Sequence, residues 1–148
     1  MNIGVASDHR GFKLKERILK YLFEKGNNPI DFGTSSVELV DYPDYAKLLC
    51  EGINNGTIEL GIAICGSGIG MSIACNKIKK IRCAKVDSVK DVYLARNDNN
   101  ANIIALNSEM MFYKVKDIID EFLKTPFSNI ERHIERLDKI EKLEHLRK

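Results

Sequence analysis

The chain has 148 residues, which suits one domain with a core of its own, and we expect a single domain over 1–148. Its net charge is +2 at pH 7, so neither nucleic acid nor a membrane surface is indicated as a partner. No apolar run approaches the ~18 residues of a membrane span. The opening segment MNIGVASDHRG lacks the basic start and long apolar run of a signal peptide, so we expect a cytoplasmic protein.

Apolar runs alternate with amphipathic segments along the whole chain, and each run predicts a strand or a helix. NIGVAS (2–7) predicts a buried strand, and a helix that begins near Phe12 follows it and stops at Gly26. The other predicted elements, in chain order, are a strand at 29–32, a helix at 43–55, a strand at 60–65, a helix at 69–79, a strand at 82–86, a helix at 88–97, a strand at 102–106, and two helices at 109–124 and 128–146.

Five short strands that alternate with helices predict a Rossmann-like α/β fold. The sheet is expected to be parallel, because the strands are joined by helices, and to carry helices on both faces, because the strands are almost continuously apolar. In such sheets ligands bind beyond the carboxyl ends of the strands. The segments of interest are therefore those just after the strands: 8–11, 65–70, 87–88 and the residues around strand five.

The long C-terminal helix has an unusual apolar pattern. Ser128 and Glu131 have the S-x-x-E spacing of a capping box, which predicts that the helix begins at Ser128. Its apolar residues recur about every three positions, so they drift around the helix: Ile130, Ile134, Leu137, Ile140, Leu143 and Leu146. Such a helix either packs on a second subunit or packs on its own domain in the ordinary way.

A glycine-rich turn between a strand and a helix is the central feature of the sequence. Gly66, Gly68 and Gly70 fall within six residues, and such glycines let the backbone approach a ligand and turn its N–H groups toward an anion. The N-terminus of the following helix adds partial positive charge. Cys65 stands directly before this turn, where the same field favours a thiolate.

Met71 excludes several familiar readings of this turn. It stands where a Walker loop needs the glycine of its Gly-Lys-Ser/Thr sequence, where a thiol phosphatase needs arginine, and where a Rossmann fingerprint needs its last glycine. Asp87 lies about 20 residues after Gly66, as dinucleotide binding would require, but the turn falls in the third βα unit rather than the first. An inert buried cysteine in a tight turn is the remaining alternative.

The cysteines and histidines of the chain are not spaced as zinc ligands. No CxxC pair is present, and the histidines are scattered, so no metal is expected. The cysteines are expected to be reduced, and those other than Cys65 to be structural: Cys50, Cys75 and Cys83.

Three segments together resemble one enzyme family. They are the run DHRGF from Asp8 with Leu14 and Lys15, the run Asp41-Tyr42-Pro43, and the run CGSGIGMSIACNK from Cys65 with Ile81-Arg82 beyond it. They are similar to the ribose-5-phosphate isomerase B family, which includes the galactose-6-phosphate isomerase subunits. The resemblance extends over nearly the whole chain, including the tail arginines, and implies an aldose–ketose isomerase of phosphorylated sugars.

The resemblance also implies roles for individual residues. Cys65 would be the base that moves a proton between C1 and C2, and Ser67 would help to move a hydroxyl proton. The amides of Gly66, Gly68 and Gly70 would hold the enediolate oxygen. Asp8 and Tyr42 would contact the sugar, with Asn99 also in the site, and His9, Arg132 and Arg136 would hold the phosphate. No cofactor is implied, and the enzyme would be a homodimer or a dimer of dimers with sites at the subunit interface.

The chemistry agrees with these roles, although most of the residues have a plainer interpretation. Proton removal beside a carbonyl needs one base and a site for an oxyanion, and the phosphate serves as a handle. Taken alone, however, Asp8 would be a helix N-cap, His9 a surface histidine, Tyr42 a packing residue and Asn99 a turn residue. Arg132 and Arg136 at i, i+4 would be a solvated face.

Asp98 departs from the family pattern. The family usually has a histidine directly before the asparagine that matches Asn99, and that histidine opens the furanose ring; here the residue is Asp98. The galactose-6-phosphate isomerase type also lacks it. Ribose 5-phosphate is the first expectation for the substrate, and a hexose 6-phosphate of the allose or galactose type is the second. A non-catalytic subunit that binds sugar phosphates is the remaining alternative.

Overall fold

The computed structural model describes residues 1–146, so the last two residues of the predicted domain lie outside the described part. Its strands are β1 (Asn2–Ser7), β2 (Asn28–Asp31), β3 (Leu60–Cys65), β4 (Cys83–Lys85) and β5 (Ile103–Asn107). Its helices are α1 (Phe12–Glu24), α2 (Tyr42–Asn54), α3 (Ile69–Cys75), α4 (Val89–Asn99), α5 (Phe112–Lys124) and α6 (Glu131–Glu144).

The five strands form one parallel sheet in the order β2-β1-β3-β5-β4. From β1 the chain crosses outward to β2, and the later strands are added on the other side of β1. The crevice between the carboxyl ends of β1 and β3 is therefore the point where the direction of winding reverses, which is where ligands bind in such sheets. Ser7 pairs with Ile64 at this end, so Asp8 and Cys65 follow the two strands side by side.

Two apolar layers cover the sheet, as its strands predict. On one face α1 buries Leu14, Ile18 and Leu22, and it shares this layer with α4 and α5. On the other face α2 and α3 pack over smaller residues of the strands, including Ala6, Ala63, Cys65 and Ala105. Because side chains alternate along a strand, the Cys65 side chain lies on the α2–α3 face. The predicted α/β fold is confirmed.

One charged residue is fully buried in this framework. Lys15 on α1 has no exposed surface, yet its Nζ lies 2.9 Å from carboxylate oxygens of both Asp31 and Glu16. Asp31 is the last residue of β2 and also accepts a hydrogen bond from the Gly33 amide at 2.8 Å. A buried ammonium needs such partners. The ion pair ties α1 to the carboxyl end of β2, close to the ligand-binding edge.

Two predicted helix boundaries are wrong for local reasons. α3 ends at Cys75 instead of continuing to residue 79, because the Asn76 side chain makes two 2.8 Å hydrogen bonds with the backbone of Cys83. α6 begins at Glu131, and the predicted capping box does not form. The Ser128 hydroxyl instead lies 2.7 Å from Nδ1 of His133 and accepts a hydrogen bond from the Ile130 amide at 3.2 Å.

Candidate active site

The Asp8 turn forms one wall of the β1–β3 crevice. The Asp8 side chain is buried, and its Oδ1 accepts hydrogen bonds from the amides of Arg10 and Gly11, both at 3.0 Å. Gly11, not Asp8, occupies the N-cap position of α1. The carboxylate therefore closes the turn ahead of the helix, and within residues 1–146 its Oδ2 has no hydrogen-bond partner.

The glycine turn forms the facing wall and surrounds Cys65. The Gly68 amide donates a hydrogen bond to Sγ of Cys65 over 3.2 Å, and the Ile69 amide donates to the Ser67 hydroxyl over 3.1 Å. Gly68 has φ +81°, and a Cβ there would lie 3.0 Å from the Leu106 carbonyl carbon. Only glycine combines this conformation with this close approach, so Gly68 fixes the path that brings its amide to the thiol.

Two other glycines leave room for side chains at the site. An added Cβ at Gly70 would lie 2.5 Å from Cζ of Tyr42, so the Tyr42 ring occupies that space. An added Cβ at Gly66 would lie 2.6 Å from Nη1 and 2.9 Å from Cζ of Arg10. Both side chains therefore pack directly on the turn. Tyr42 was predicted from the sequence to lie in the site, but Arg10 was not. A single arginine after a strand forms no motif with other residues that would indicate a function.

His9 lies between the Asp8 turn and the segment before α2. Its Nδ1 accepts a hydrogen bond from the Val40 amide at 3.2 Å. This bond places the ring proton of the neutral form on Nε2, which is then available as a donor to an oxygen of a ligand. Asp8, His9, Tyr42, Cys65 and Ser67 thus belong to a single cluster with the glycine turn, which we call the cysteine cluster.

The other predicted site residues lie at the opposite end of the strands, near the amino end of β5. α4 begins after the carboxyl end of β4 and runs back, so Asp98 and Asn99 in its last turn lie near the amino end of β5. Strands of six residues such as β3 are about 20 Å long. Arg132 and Arg136 are exposed on α6, which packs against α4. We call these four residues the tail cluster; one chain does not bring the two clusters together.

His133 lies beside the tail cluster, and the sequence did not predict a role for it. It is the one buried residue of α6, with Nδ1 2.7 Å from the Ser128 hydroxyl and Nε2 3.9 Å from Oδ1 of Asp98. Asp98 Oδ1 also accepts a hydrogen bond from the Asn97 side chain at 2.8 Å. The sequence could not indicate this arrangement, because it arises only from the packing of α6 on α4.

The remaining cysteines lie together beneath α2 and α3. Cys50 and Cys75 are fully buried, and Sγ of Cys50 is 3.9 Å from the Cys75 carbonyl oxygen. The hydrogen bond to Cys75, together with burial, raises the pKa of both Cys50 and Cys83. Cys50 and Cys83 therefore stay protonated, whereas the same hydrogen bonds lower the pKa of Cys75. All three side chains form part of the core. Across residues 1–146, no three His, Cys, Asp or Glu side chains are grouped to hold a metal ion.

None of the helices in the described part of the chain has the length and apolar character needed to cross a membrane.

Comparison with known proteins identifies the family of this fold. The family model "Ribose/Galactose Isomerase" matches residues 3–140. The chain is 36% identical over 146 residues to ribose-5-phosphate isomerase B of Escherichia coli, a match that covers 98% of this chain and 97% of the relative. It superposes on a ribose-5-phosphate isomerase B structure from Clostridium thermocellum with a TM-score of 0.97, at 40% identity and full coverage of both chains.

A further structure has a ligand in its description. It is ribose-5-phosphate isomerase B of Mycoplasma genitalium with bound ribulose 5-phosphate, with a TM-score of 0.91, 40% identity, and coverage of 97% of this chain and 96% of that one. The fold is that of an α/β sugar-phosphate isomerase. The chain belongs to the ribose/galactose isomerase family, and the family and enzyme class predicted from the sequence are confirmed.

Proposed function

We propose that this enzyme interconverts ribose 5-phosphate and ribulose 5-phosphate, with Cys65 as the base. The observation that carries the proposal is the 3.2 Å hydrogen bond from the Gly68 amide to Sγ of Cys65, at the edge of the sheet where ligands bind. An amide aimed at sulfur stabilises a thiolate. A thiolate can take a proton from the carbon beside a carbonyl and return it to the neighbouring carbon, which converts aldose to ketose through an enediolate.

The other members of the cysteine cluster are suited to hydrogen-bond the hydroxyl and phosphate groups of a sugar phosphate. The Ser67 hydroxyl accepts from the Ile69 amide, so its own proton is free to be donated toward a substrate oxygen. Asp8 Oδ2 can accept a hydrogen bond from a sugar hydroxyl, and the Tyr42 hydroxyl can donate or accept one. The glycine turn offers backbone amides to the enediolate oxygen. Nε2 of His9 is a donor suited to a phosphate oxygen.

The two arginines of the tail cluster add phosphate contacts to that of His9 in this proposal, from a second copy of the chain. Within residues 1–146, Arg132 and Arg136 have no ion-pair partner, and one helical turn separates them on an exposed face. A guanidinium pair binds phosphate well. Since one chain keeps these arginines, Asp98 and Asn99 away from Cys65, we propose a homodimer in which each site combines both clusters.

The exposed apolar side chains of α6 support this assembly. Only His133 of its 14 residues is buried, whereas Ile134, Ile140 and Leu143 are exposed, and so is Leu146 just beyond the helix. The helix therefore carries more apolar surface than its own domain covers, which favours packing on a second subunit over packing on its own domain.

Asp98 favours a second candidate substrate. An aspartate is ordinarily ionised at pH 7 and is a poor proton donor for opening a furanose ring. A hexose 6-phosphate of the allose or galactose type is therefore the alternative.

A substrate panel tests the proposed function. The purified chain alone is assayed with ribose 5-phosphate, ribulose 5-phosphate, allose 6-phosphate and galactose 6-phosphate. The proposal predicts the highest kcat/KM for the pentose pair. A higher kcat/KM for a hexose phosphate would transfer the assignment to that sugar. Binding of sugar phosphates without turnover of any of them would indicate a non-catalytic subunit.

A further inference from the structure

The glycine turn has fewer free donors than its sequence predicts. The Gly68 amide is directed at the Cys65 sulfur and the Ile69 amide at the Ser67 hydroxyl. Two N–H groups of the turn are therefore already bonded before any substrate binds. The enediolate oxygen that forms when the proton leaves carbon needs donors that are not already used in this way.

Arg10 supplies such donors at the same turn. Nη1, Cζ and Nε of its guanidinium would lie 2.6, 2.9 and 3.1 Å from a Cβ added to Gly66. Three guanidinium atoms at similar distances mean that the flat face of the group packs on Gly66, the residue that follows Cys65. The absence of a side chain at Gly66 is what allows this approach.

The Arg10 guanidinium has no counter-charge of its own. Among the residues that the structure describes, it forms no ion pair and donates no hydrogen bond. The nearest carboxylate in sequence, Asp8, instead bonds the backbone amides of Arg10 and Gly11. Arg10 thus brings a full positive charge and unused N–H donors to Gly66, just beyond the carboxyl end of β3, and no carboxylate within residues 1–146 forms an ion pair with it.

We propose that Arg10 is a catalytic residue of the isomerase, one that stabilises the enediolate oxygen. The Cys65 thiolate takes the proton from the carbon beside the carbonyl, the electron pair of that C–H bond moves toward the carbonyl oxygen, and an N–H of Arg10 donates to the oxygen as its negative charge grows. Arg10 keeps its own protons throughout. The inference rests on the proposed role of Cys65 and adds a residue that neither the glycine motif nor its spacing indicates.

Activity measurements with three variants test the inference. Arg10→Met should lower kcat about 100-fold, the scale of losing one oxyanion donor, with a much smaller change in KM. Arg10→Lys should recover part of kcat, because it restores the charge without the planar fork. Arg17→Met is the matched control, since the Arg17 guanidinium lies over the Phe112 ring, 4.0 Å from Cζ to the centroid. It should leave kcat unchanged.

A second readout does not depend on turnover. Cys65 is alkylated with anionic iodoacetate and with neutral iodoacetamide, and peptide mass mapping gives the rate at Cys65. The ratio of the two rates should fall several-fold in Arg10→Met and stay constant in Arg17→Met, because a nearby positive charge attracts the anionic reagent. An unchanged ratio in a folded Arg10→Met protein, or a rise in KM alone, would overturn the inference. Normal turnover of Cys65→Ala would instead overturn the proposed function.

Discussion

The carboxylate of Asp98 faces the buried imidazole of His133, with 3.9 Å between Oδ1 and Nε2. The other ring nitrogen lies 2.7 Å from the Ser128 hydroxyl, so Ser128 and Asp98 lie on opposite sides of the ring. Asp98 keeps 38% of its side-chain surface exposed. It is thus held at the junction of α4 and α6 while one side remains open to a ligand, as a residue that takes part in a shared site would be.

Replacing Asp98 tests which sugar the site accepts. Ribose 5-phosphate is largely cyclic and must open before it has a carbonyl, whereas ribulose 5-phosphate cannot close into a furanose ring. A histidine exchanges protons near neutral pH, and an aspartate ordinarily does not. Asp98→His should therefore raise kcat/KM with ribose 5-phosphate as the starting substrate and change it little with ribulose 5-phosphate, each followed by its initial rate.

Asp98→Asn is the matched control for this prediction. It keeps the size of the side chain and removes the charge that faces His133. A large loss of rate with both substrates in either variant would show that the Asp98 carboxylate is itself needed, and the view that it merely fails to open the ring would be dropped.

The tail arginines are expected to act on substrate binding. Arg136→Ala should raise KM for phosphorylated sugars by about tenfold or more with a smaller effect on kcat, because a phosphate contact is made in both the ground and transition states. Lys139→Ala, on an exposed position of the same helix, should leave KM unchanged. Steady-state kinetics with ribose 5-phosphate measures both.

Mixing subunits tests whether the two clusters come from different chains. Cys65→Ala and Arg136→Ala proteins are mixed under conditions that exchange subunits. A heterodimer would contain one site with both residues intact, so at a substrate concentration well below the raised KM of Arg136→Ala the activity should exceed that of either variant alone. If exchange is proven by mass spectrometry and no activity returns, the shared site is refuted.

Gly70→Ala should disturb the site by moving Tyr42. The added methyl group would lie 2.5 Å from Cζ of the Tyr42 ring, so the ring must shift. Small displacements of a positioning group can cost up to ~100-fold, and we expect kcat/KM to fall by at least ~10-fold. Gly56→Ala is the control: Gly56 has φ +80° and no atom near an added Cβ, so it should lose stability but not activity. Equal kcat/KM in the two variants would contradict this role for Tyr42.

The Tyr21–Asp120 hydrogen bond gives the fold a pH dependence in the alkaline range. Tyr21 donates to Oδ1 of Asp120 over 2.6 Å, and burial together with this bond raises the pKa of Tyr21 to about 12. A tyrosine in the unfolded chain ionises near pH 10. The contribution of this bond is therefore complete below about pH 10 and is lost as the pH rises toward 12.

Thermal melts between pH 8 and pH 12 test the direction of this pH dependence. Tyr21→Phe should have a slightly lower Tm than the unsubstituted chain at pH 8, and the difference should shrink as the pH approaches 12. A difference that grows with pH would contradict the assignment.

Local patterns in the sequence were enough to predict the strands and helices, but not how they come together. The apolar run at 60–65 and the spacing of Leu14, Ile18 and Leu22 are local signals, and the structure confirms them. The strand order, and the end of α3 where Asn76 bonds Cys83, depend on contacts between distant residues. No window of the sequence contains those contacts.

The same distinction applies to the site. Family resemblance identified Asp8, Tyr42 and Cys65, and the fold brings these three together beyond β1 and β3. The packing of Arg10 on Gly66 and the position of His133 between Ser128 and Asp98 were missed. Burial between two helices and the space over a glycine leave no pattern in the order of residues.

The catalytic role of Cys65 is the central claim, and the turnover of Cys65→Ala tests it most directly. Cys50→Ala, which removes another buried thiol on the same face of the sheet, is the matched control, and both variants are first shown to fold by circular dichroism. With ribose 5-phosphate, Cys65→Ala should have kcat lowered by at least ~100-fold, the scale of a positioned general base, while Cys50→Ala stays near the original value. A folded Cys65→Ala enzyme with near-normal kcat would contradict the account.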